Sequence, residues 1–247
     1  MKICVLGNSH VACLSKGWDK LKYNHKNVQL TFFAHRGEKL SGLTIKHGRL
    51  SADNQRLRRV ISHTSGGREH VDPNEFDCFL IFALGAKPYR YRPIYYSQQV
   101  HIAALEDHAT HSTSWKLIER LRQITDKPIY VGHNPLHAAS PRCDHRGGAD
   151  EYYRGIAELN EYIYEPQNTL LLCQPEQTIT DGFETKHEYS IGSTRLDTGD
   201  KISNEPHEEK DRTHMNAQFG ELYLSDFLTM LASEPELPVS QKTNHKR

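Results

Sequence analysis

The first ten residues constrain the fold of this 247-residue chain more than any other stretch. Ile3 to Leu6 form a short apolar run, which Gly7-Asn8-Ser9 interrupts. A continuous apolar run bounded by turn residues is typical of a strand buried on both faces of a parallel sheet. The apolar residues that follow have helical spacing: Val11, Leu14, Trp18 and Leu21. The pattern therefore predicts a strand, a tight turn and a helix, with Ser9 at the carboxyl edge of the sheet, where open α/β folds bind ligands.

Further apolar segments extend this pattern along the chain. They predict strands at residues 28–34, 77–84, 128–132 and 168–173, and helices at 54–62, 115–124, 149–164 and 220–231. Strands alternating with helices indicate an α/β protein, a three-layer α/β/α sandwich with a five-stranded, mostly parallel sheet of flavodoxin-like kind. We expect one domain over residues 1–232, followed by a disordered tail at 233–247. Within that domain we expect a small hairpin insertion at about 43–50. A long connection at about 174–210 is expected to act as a lid or substrate wall.

Composition excludes several classes of partner. The 31 basic and 31 acidic side chains give a formal net charge of +0, so there is no electrostatic reason to expect a nucleic-acid or anionic-membrane partner. The amino terminus has only a four-residue apolar run, too short for a signal peptide, and no stretch approaches a membrane span. The five cysteines form no C-x-x-C pair. We therefore expect a cytoplasmic protein without a cofactor, whose oligomeric state the sequence leaves open.

A serine at the edge of the sheet becomes a nucleophile only if a base lies beside it. The best candidate is the segment Asp211-Arg212-Thr213-His214, almost at the other end of the chain. An Asp and a His three residues apart on one tight turn can contact each other, so the carboxylate can orient the imidazole. The imidazole can then take the serine proton. Each motif alone also fits a simpler interpretation, in which Asn8 or Ser9 caps the following helix and Asp211 marks the capped start of another.

Gly7-Asn8-Ser9-His10 near the amino terminus and Asp211-x-x-His214 before a last helix resemble the SGNH (GDSL-like) hydrolase superfamily. The resemblance implies that Ser9 is the nucleophile, His214 the general base and then acid, and Asp211 the residue that orients His214. It also implies an oxyanion hole made of the Ser9 N–H, the N–H of a glycine after the second strand and an asparagine in a Gly-x-Asn motif after the third. Gly37 occupies the second of these places.

The sequence departs from the family pattern at two places. Asn8 stands where the family usually has Asp, and Gly85-Ala86-Lys87 stands where Gly-x-Asn is expected. Asn134, after the fourth strand, is the candidate for the missing oxyanion donor. Loss of one such donor typically costs about 10²–10³ in rate, so this departure bears on activity.

The expected substrate is a small acyl ester, an acetyl ester of a carbohydrate in particular, because such esters are a common substrate class within the family. The segment Lys87 to Tyr96 interleaves arginine with tyrosine, a pattern that can bind a sugar or a carboxylated group, although an ordinary surface loop has the same composition. The candidate substrate-binding residues are His10, Arg36, Lys87, Tyr89, Arg90 and His133.

Three alternatives to a serine esterase stay open. The same acyl-enzyme could pass its acyl group to a sugar hydroxyl, which would make the protein an acyltransferase. The absent Gly-x-Asn would fit a catalytically degenerate binding protein that kept the fold. A metal-dependent hydrolase would need a ligand set among His133, His137, Cys143, Asp144 and His145, but their spacing matches no standard site, so we predict no metal.

Overall fold

Five parallel strands form the central sheet of the computed structural model, which describes residues 1–90, 96–140, 149–180 and 183–233. The strands in chain order are β1 (Lys2–Gly7), β2 (Gln29–Ala34), β3 (Leu43–Lys46), β4 (Arg49–Ala52), β5 (His70–Val71), β6 (Cys78–Phe82), β7 (Ile129–Gly132) and β8 (Thr169–Leu172). The order across the central sheet is β2, β1, β6, β7 and β8. If the five strands of this sheet are numbered by themselves along the chain, the order is 2-1-3-4-5, the flavodoxin-like arrangement, so the predicted fold class is confirmed.

Helices cover both faces of this sheet. Successive strand side chains point to opposite faces. Cys4 and Leu6 therefore join one apolar cluster, whereas Ile3 and Val5 join the other. The α-helices are α1 (Val11–Leu21), α2 (Gln55–Thr64), α3 (Gln98–Thr110), α4 (Thr113–Arg122), α5 (Ala149–Leu159) and α6 (Ala217–Ser233). α1 and α6 cover the Ile3 face, and the remaining helices pack on the Cys4 face.

Two glycines let α1 and α6 approach closely. A Cβ atom on Gly220 would overlap the carbonyl of Cys13, and one on Gly17 would overlap the backbone of Glu221. This contact matters for the site because α1 follows Ser9 and α6 follows His214. The segments that carry Ser9 and His214 are thereby held together at one face of the sheet.

Local structure differs from the sequence prediction in three places. The third predicted strand ends at Phe82 instead of residue 84, because Ala83, Leu84 and Gly85 have φ values of 65°, 51° and 82° and turn the chain. Helix α3 was not predicted, since among its residues only Leu105 and Ala109 are buried and no apolar stripe marks it. The predicted hairpin is present as β3 and β4, and β5 extends it into a second, antiparallel sheet.

The long connection after β8 packs against the domain over much of its described length. Thr178, Thr185 and Ser193 are buried in it, and Asp200 forms an ion pair with Arg36. Its regular structure, within the described residues, consists of short 3₁₀ turns at Glu176–Thr178 and His187–Tyr189. The predicted tail from residue 234 lies outside the described residues. Among the helices that the structure describes, none combines the length and apolar character needed to cross a membrane.

Candidate active site

The carboxyl ends of the central strands meet at one edge of the sheet. Gly7 is in register with Ala34 of β2 and Phe82 of β6, and Phe82 with Gly132 of β7. The loops that leave these four positions carry Ser9, Gly37, Gly85 and Asn134, respectively. The register therefore brings the predicted nucleophile and the predicted oxyanion donors to the same edge.

Ser9 lies on the tight turn between β1 and α1. The Val11 N–H donates to the Asn8 carbonyl (3.1 Å) and the Ala12 N–H donates to the Ser9 carbonyl (3.2 Å), which starts the helix directly after Ser9. A side chain at Gly7 would overlap Val11 and the Phe82 carbonyl, so this turn needs glycine there. Ser9 itself is half-buried at this edge of the sheet.

Ser9, His214 and Asp211 form a continuous hydrogen-bonded chain. Ser9 Oγ is 3.0 Å from His214 Nε2, and His214 Nδ1 is 2.9 Å from Asp211 Oδ2. Since a carboxylate only accepts hydrogen bonds, Nδ1 carries the proton of a neutral His214 and Nε2 is free to accept the serine proton. Of these two contacts, the Asp-x-x-His spacing predicts the one between Asp211 and His214.

The Asp211 carboxylate is held by more than its contact with His214. Its Oδ1 accepts hydrogen bonds from the backbone N–H groups of Thr213 (2.7 Å) and His214 (3.0 Å). Burial raises the pKa of Asp211, but the hydrogen bonds from the His214 side chain and from these N–H groups outweigh it and lower the pKa to about 2. Asp211 is therefore ionised at neutral pH and can stabilise an imidazolium at His214.

Two further imidazoles stack on His214. The His207 ring lies 3.9 Å from it, centroid to centroid, at an angle of 8°, and the His10 ring lies 5.0 Å away at 26°. Burial, and then the neighbouring His214, lower the pKa of His10 to about 3, so His10 is neutral near pH 7. His10 thus contacts the predicted base, a different position from the substrate contact expected from the sequence. His207 was not singled out from the sequence, where only its spacing in His207-x-x-x-Asp211 could have indicated it.

Two backbone N–H groups, on the loops after β1 and β2, are the candidate oxyanion donors. Among the described residues, neither the Ser9 N–H nor the Gly37 N–H donates a hydrogen bond. Gly37 is exposed and has a φ of 67°, a left-handed conformation that favours glycine. Asn8 connects the two segments: its Oδ1 accepts from the His10 N–H (3.1 Å) and its Nδ2 donates to Glu38 Oε1 (3.4 Å).

Asn134 is hydrogen-bonded to the turn that replaces Gly-x-Asn. Its side-chain Oδ1 accepts a hydrogen bond from the Gly85 N–H (3.2 Å), and its backbone N–H donates to the Ala86 carbonyl (2.8 Å). Its Nδ2 has no hydrogen-bond partner among the described residues. The neighbouring strand thus supplies an amide to the turn in which the family motif would place its asparagine.

Two of the predicted substrate-binding residues are engaged in contacts within the protein. Arg36 pairs with Asp200 (2.6 Å) and donates to the Leu196 carbonyl, so it anchors the long connection. His133 is buried, and both of its ring nitrogens are used: Nδ1 donates to the Asn134 carbonyl (2.6 Å), and Nε2 accepts from the Tyr152 hydroxyl (2.8 Å). In this conformation the polar groups described above are used within the protein. Arg36 Nε is buried and has no hydrogen-bond partner among the described residues.

The basic and aromatic segment after β6 also makes contacts within the protein. The Tyr89 ring packs edge-on against the rings of His101 and His108. Arg90 forms an ion pair with Glu151 (2.8 Å). Lys87 is exposed, and its carbonyl accepts from His108 Nε2 (3.1 Å). The remainder of the predicted substrate-binding segment, residues 91–95, lies outside the described residues.

One cluster in the described residues has donors close enough for a metal ion. Ligand atoms of His207, Asp211 and His214 all lie within 4.8 Å of one another. The two rings are stacked nearly parallel, however, and a metal ion binds an imidazole in the plane of its ring. One ion could not lie in both planes without a rotation of the rings. Of the ligand set considered from the sequence, Cys143, Asp144 and His145 lie outside the described residues.

Comparisons with known proteins give little further information. No protein-family model matches the sequence, and no curated protein matches it significantly. The fold is similar to the crystal structure of a possible lipase from Chitinophaga pinensis DSM 2588, with a TM-score of 0.42 and 11% sequence identity over 94% of this chain and 99% of that one. At this level of similarity the likeness carries no argument about activity.

Proposed function

We propose that this protein is a serine esterase of SGNH type. The observation that supports the proposal most strongly is the chain of hydrogen bonds from Ser9 Oγ to His214 Nε2 (3.0 Å) and from His214 Nδ1 to Asp211 Oδ2 (2.9 Å). A nucleophile within hydrogen-bond reach of a base that a third group orients is the general arrangement of an activated serine.

In the proposed reaction, Ser9 Oγ attacks the ester carbonyl carbon while His214 Nε2 takes the hydroxyl proton. The negative charge on the carbonyl oxygen is stabilised by the N–H groups of Ser9 and Gly37 and by the amide of Asn134. His214 then gives its proton to the departing alcohol, which leaves an acyl group on Ser9. Water attacks this acyl-enzyme, His214 takes the water proton, and release of the carboxylic acid returns the proton to Ser9.

The proposed substrate is a small acyl ester, an acetyl ester of a carbohydrate in particular. The resemblance to SGNH hydrolases supports this choice of class, and the half-buried Ser9 and the exposed Gly37 are consistent with a site that a bulky alcohol can approach. Transfer of the acyl group to a sugar hydroxyl would use the same acyl-enzyme. An added sugar acceptor that accelerates release of the first product, and becomes acylated, would identify a transferase.

The test is hydrolysis of p-nitrophenyl acetate by the wild type, Ser9→Ala and Ser15→Ala. Ser15 is the matched control, because it lies on α1, close to Ser9 in sequence but outside the proposed triad. We expect Ser9→Ala to lower kcat by up to about 10⁶, as for other triad serines, while Ser15→Ala retains activity. Turnover by a folded Ser9→Ala protein at the wild-type rate would contradict the proposal.

The absence of a Gly-x-Asn sequence at Gly85-Ala86-Lys87 supports a second candidate, a binding protein that kept the fold without catalysis. A folded wild-type protein that shows no turnover of any acyl ester and no reaction of Ser9 with a phosphonate would favour that candidate.

A further inference from the structure

His207 is buried beside the proposed triad, on the long connection that leads to Asp211. Its side chain is 7% exposed. Its backbone N–H donates to the Ser193 carbonyl (2.9 Å), which fixes the residue against an earlier part of the same connection. Only three residues separate His207 from Asp211, so one short segment brings both side chains to the site.

Both His207 and His214 contact the same oxygen of Asp211. His207 Nδ1 is 3.2 Å from Asp211 Oδ2, and His214 Nδ1 is 2.9 Å from it. His214 Nδ1–H donates its hydrogen bond to this oxygen, whereas the contact of His207 is electrostatic, because two stacked and nearly parallel rings cannot both direct an in-plane N–H at one atom. His207 Nε2 is buried without a hydrogen-bond partner among the described residues.

The charges around His207 favour its neutral form. Burial, together with His214 and the more distant Arg195 and Arg36, lowers the pKa of His207, and Asp211 only partly opposes this. A proton on Nε2 would find no described acceptor, and it would place a second cation 3.9 Å from the ring that must become an imidazolium. His207 thus remains an uncharged ring while His214 gains and loses a proton.

We propose that His207 is a positioning residue for the proposed triad, one that holds the His214 ring in place by stacking on it. This inference rests on the proposed function. The stacked ring prevents His214 from rotating away from Ser9, and its π-face stabilises the imidazolium that forms during the reaction.

Three variants separate the ring from the rest of the side chain. His207→Phe keeps a ring over His214 and removes both ring nitrogens, so the stacking is retained. His207→Asn removes the ring and keeps a polar side chain, so the stacking is lost. His207→Ala removes the whole side chain beyond Cβ.

The experiment is an NMR measurement of the chemical shifts of the His214 ring protons in the wild type and the three variants, together with kcat and KM for p-nitrophenyl acetate. We expect the ring-current shift of these protons to be retained in His207→Phe and lost in His207→Asn and His207→Ala. We also expect kcat to fall about three- to tenfold in His207→Asn and His207→Ala, the effect of one lost aromatic contact, and to stay near the wild-type value in His207→Phe, with KM changed by less than twofold throughout.

The proposal is overturned if the His214 ring-proton shifts are the same in the wild type and in every folded variant, or if His207→Phe loses as much kcat as His207→Asn, since either result assigns His207 a purely structural role. His207→Asn and His207→Phe keep the test decisive if His207→Ala does not fold. The NMR measurement does not depend on turnover. An inactive wild type would therefore remove the proposed function while the stacking of His207 on His214 could still be measured.

Discussion

Replacing Asn8 by the aspartate that SGNH hydrolases usually have at this place should damage this protein. Asn8 is 5% exposed, and its Nδ2 donates to Glu38 Oε1 at 3.4 Å. In Asn8→Asp a carboxylate oxygen takes the place of Nδ2 and faces the Glu38 carboxylate. The hydrogen bond between the nucleophile turn and the Gly37 segment becomes a repulsion between like charges.

The size of this repulsion follows from the distance and the surroundings. Two unit charges 3.4 Å apart repel by about 1 kcal/mol at a water-like dielectric constant and by about 5 kcal/mol at an effective constant of 20. Because Glu38 is exposed and Asn8 is buried, we expect a value near the lower limit, about 2 kcal/mol. The segment can relieve the repulsion by moving Glu38, and with it the neighbouring Gly37 N–H, away from Ser9.

The assay is denaturant unfolding of the wild type, Asn8→Asp, Glu38→Gln and the double variant at pH 7 and pH 4, with esterase kinetics at pH 7. We expect Asn8→Asp to lose about 2 kcal/mol and at least tenfold in kcat at pH 7. The double variant should recover most of both losses, because Glu38→Gln removes one charge. The stability deficit should also shrink toward pH 4, where carboxylates become protonated. An Asn8→Asp protein as stable and active as the wild type, or one that Glu38→Gln does not rescue, would refute this reasoning.

Three other substitutions test separate parts of the site. Asp211→Asn should lower kcat by about 10⁴, because its amide favours the wrong His214 tautomer. Ionised Asp211 contributes about 2 kcal/mol of stability above its unfolded pKa of 3.8, and the wild type loses this contribution as the pH falls toward 2. Asp211→Asn should lack this contribution, which unfolding measurements at pH 2–5 can check. Asn134→Asp keeps the acceptor for the Gly85 N–H but removes the amide donor. Steady-state kinetics should therefore show a fall in kcat of about 10²–10³ with little change in melting temperature. An unchanged kcat would exclude Asn134 from the oxyanion hole. Gly220→Ala places a Cβ against the Cys13 carbonyl, and it should cost about 1–3 kcal/mol in denaturant unfolding; wild-type stability would contradict the close packing of α1 on α6.

Local patterns in the sequence were enough to predict the sheet and the residues proposed for the triad. An apolar run followed by a glycine turn marks a parallel strand and its carboxyl edge, and Asp-x-x-His is a contact within one turn. The pairing of Ser9 with His214, 205 residues away, could be predicted only through the resemblance to a family. The parallel sheet then brings both ends of the chain to one edge.

Other parts of the site depend on long-range contacts that leave no local pattern. Ala83 and Leu84 end an apolar run, and nothing in their side chains indicates the positive φ values that turn the chain there. The position of His207 is set by the packing of a long polar connection without regular periodicity. The partner of Asn8, Glu38, lies on a different loop, so the reason for an asparagine at this position became visible only in the structure.

The most direct test of the proposed function is the reaction of the protein with a fluorophosphonate, followed by tryptic mass spectrometry. The peptide of residues 3–16 contains both Ser9 and Ser15, so fragmentation can separate the proposed nucleophile from a neighbouring serine. We predict one adduct, on Ser9, that forms in the wild type and is lost in His214→Ala. An adduct on Ser15, or none in a folded wild-type protein, would contradict the assignment of Ser9 as a nucleophile activated by His214.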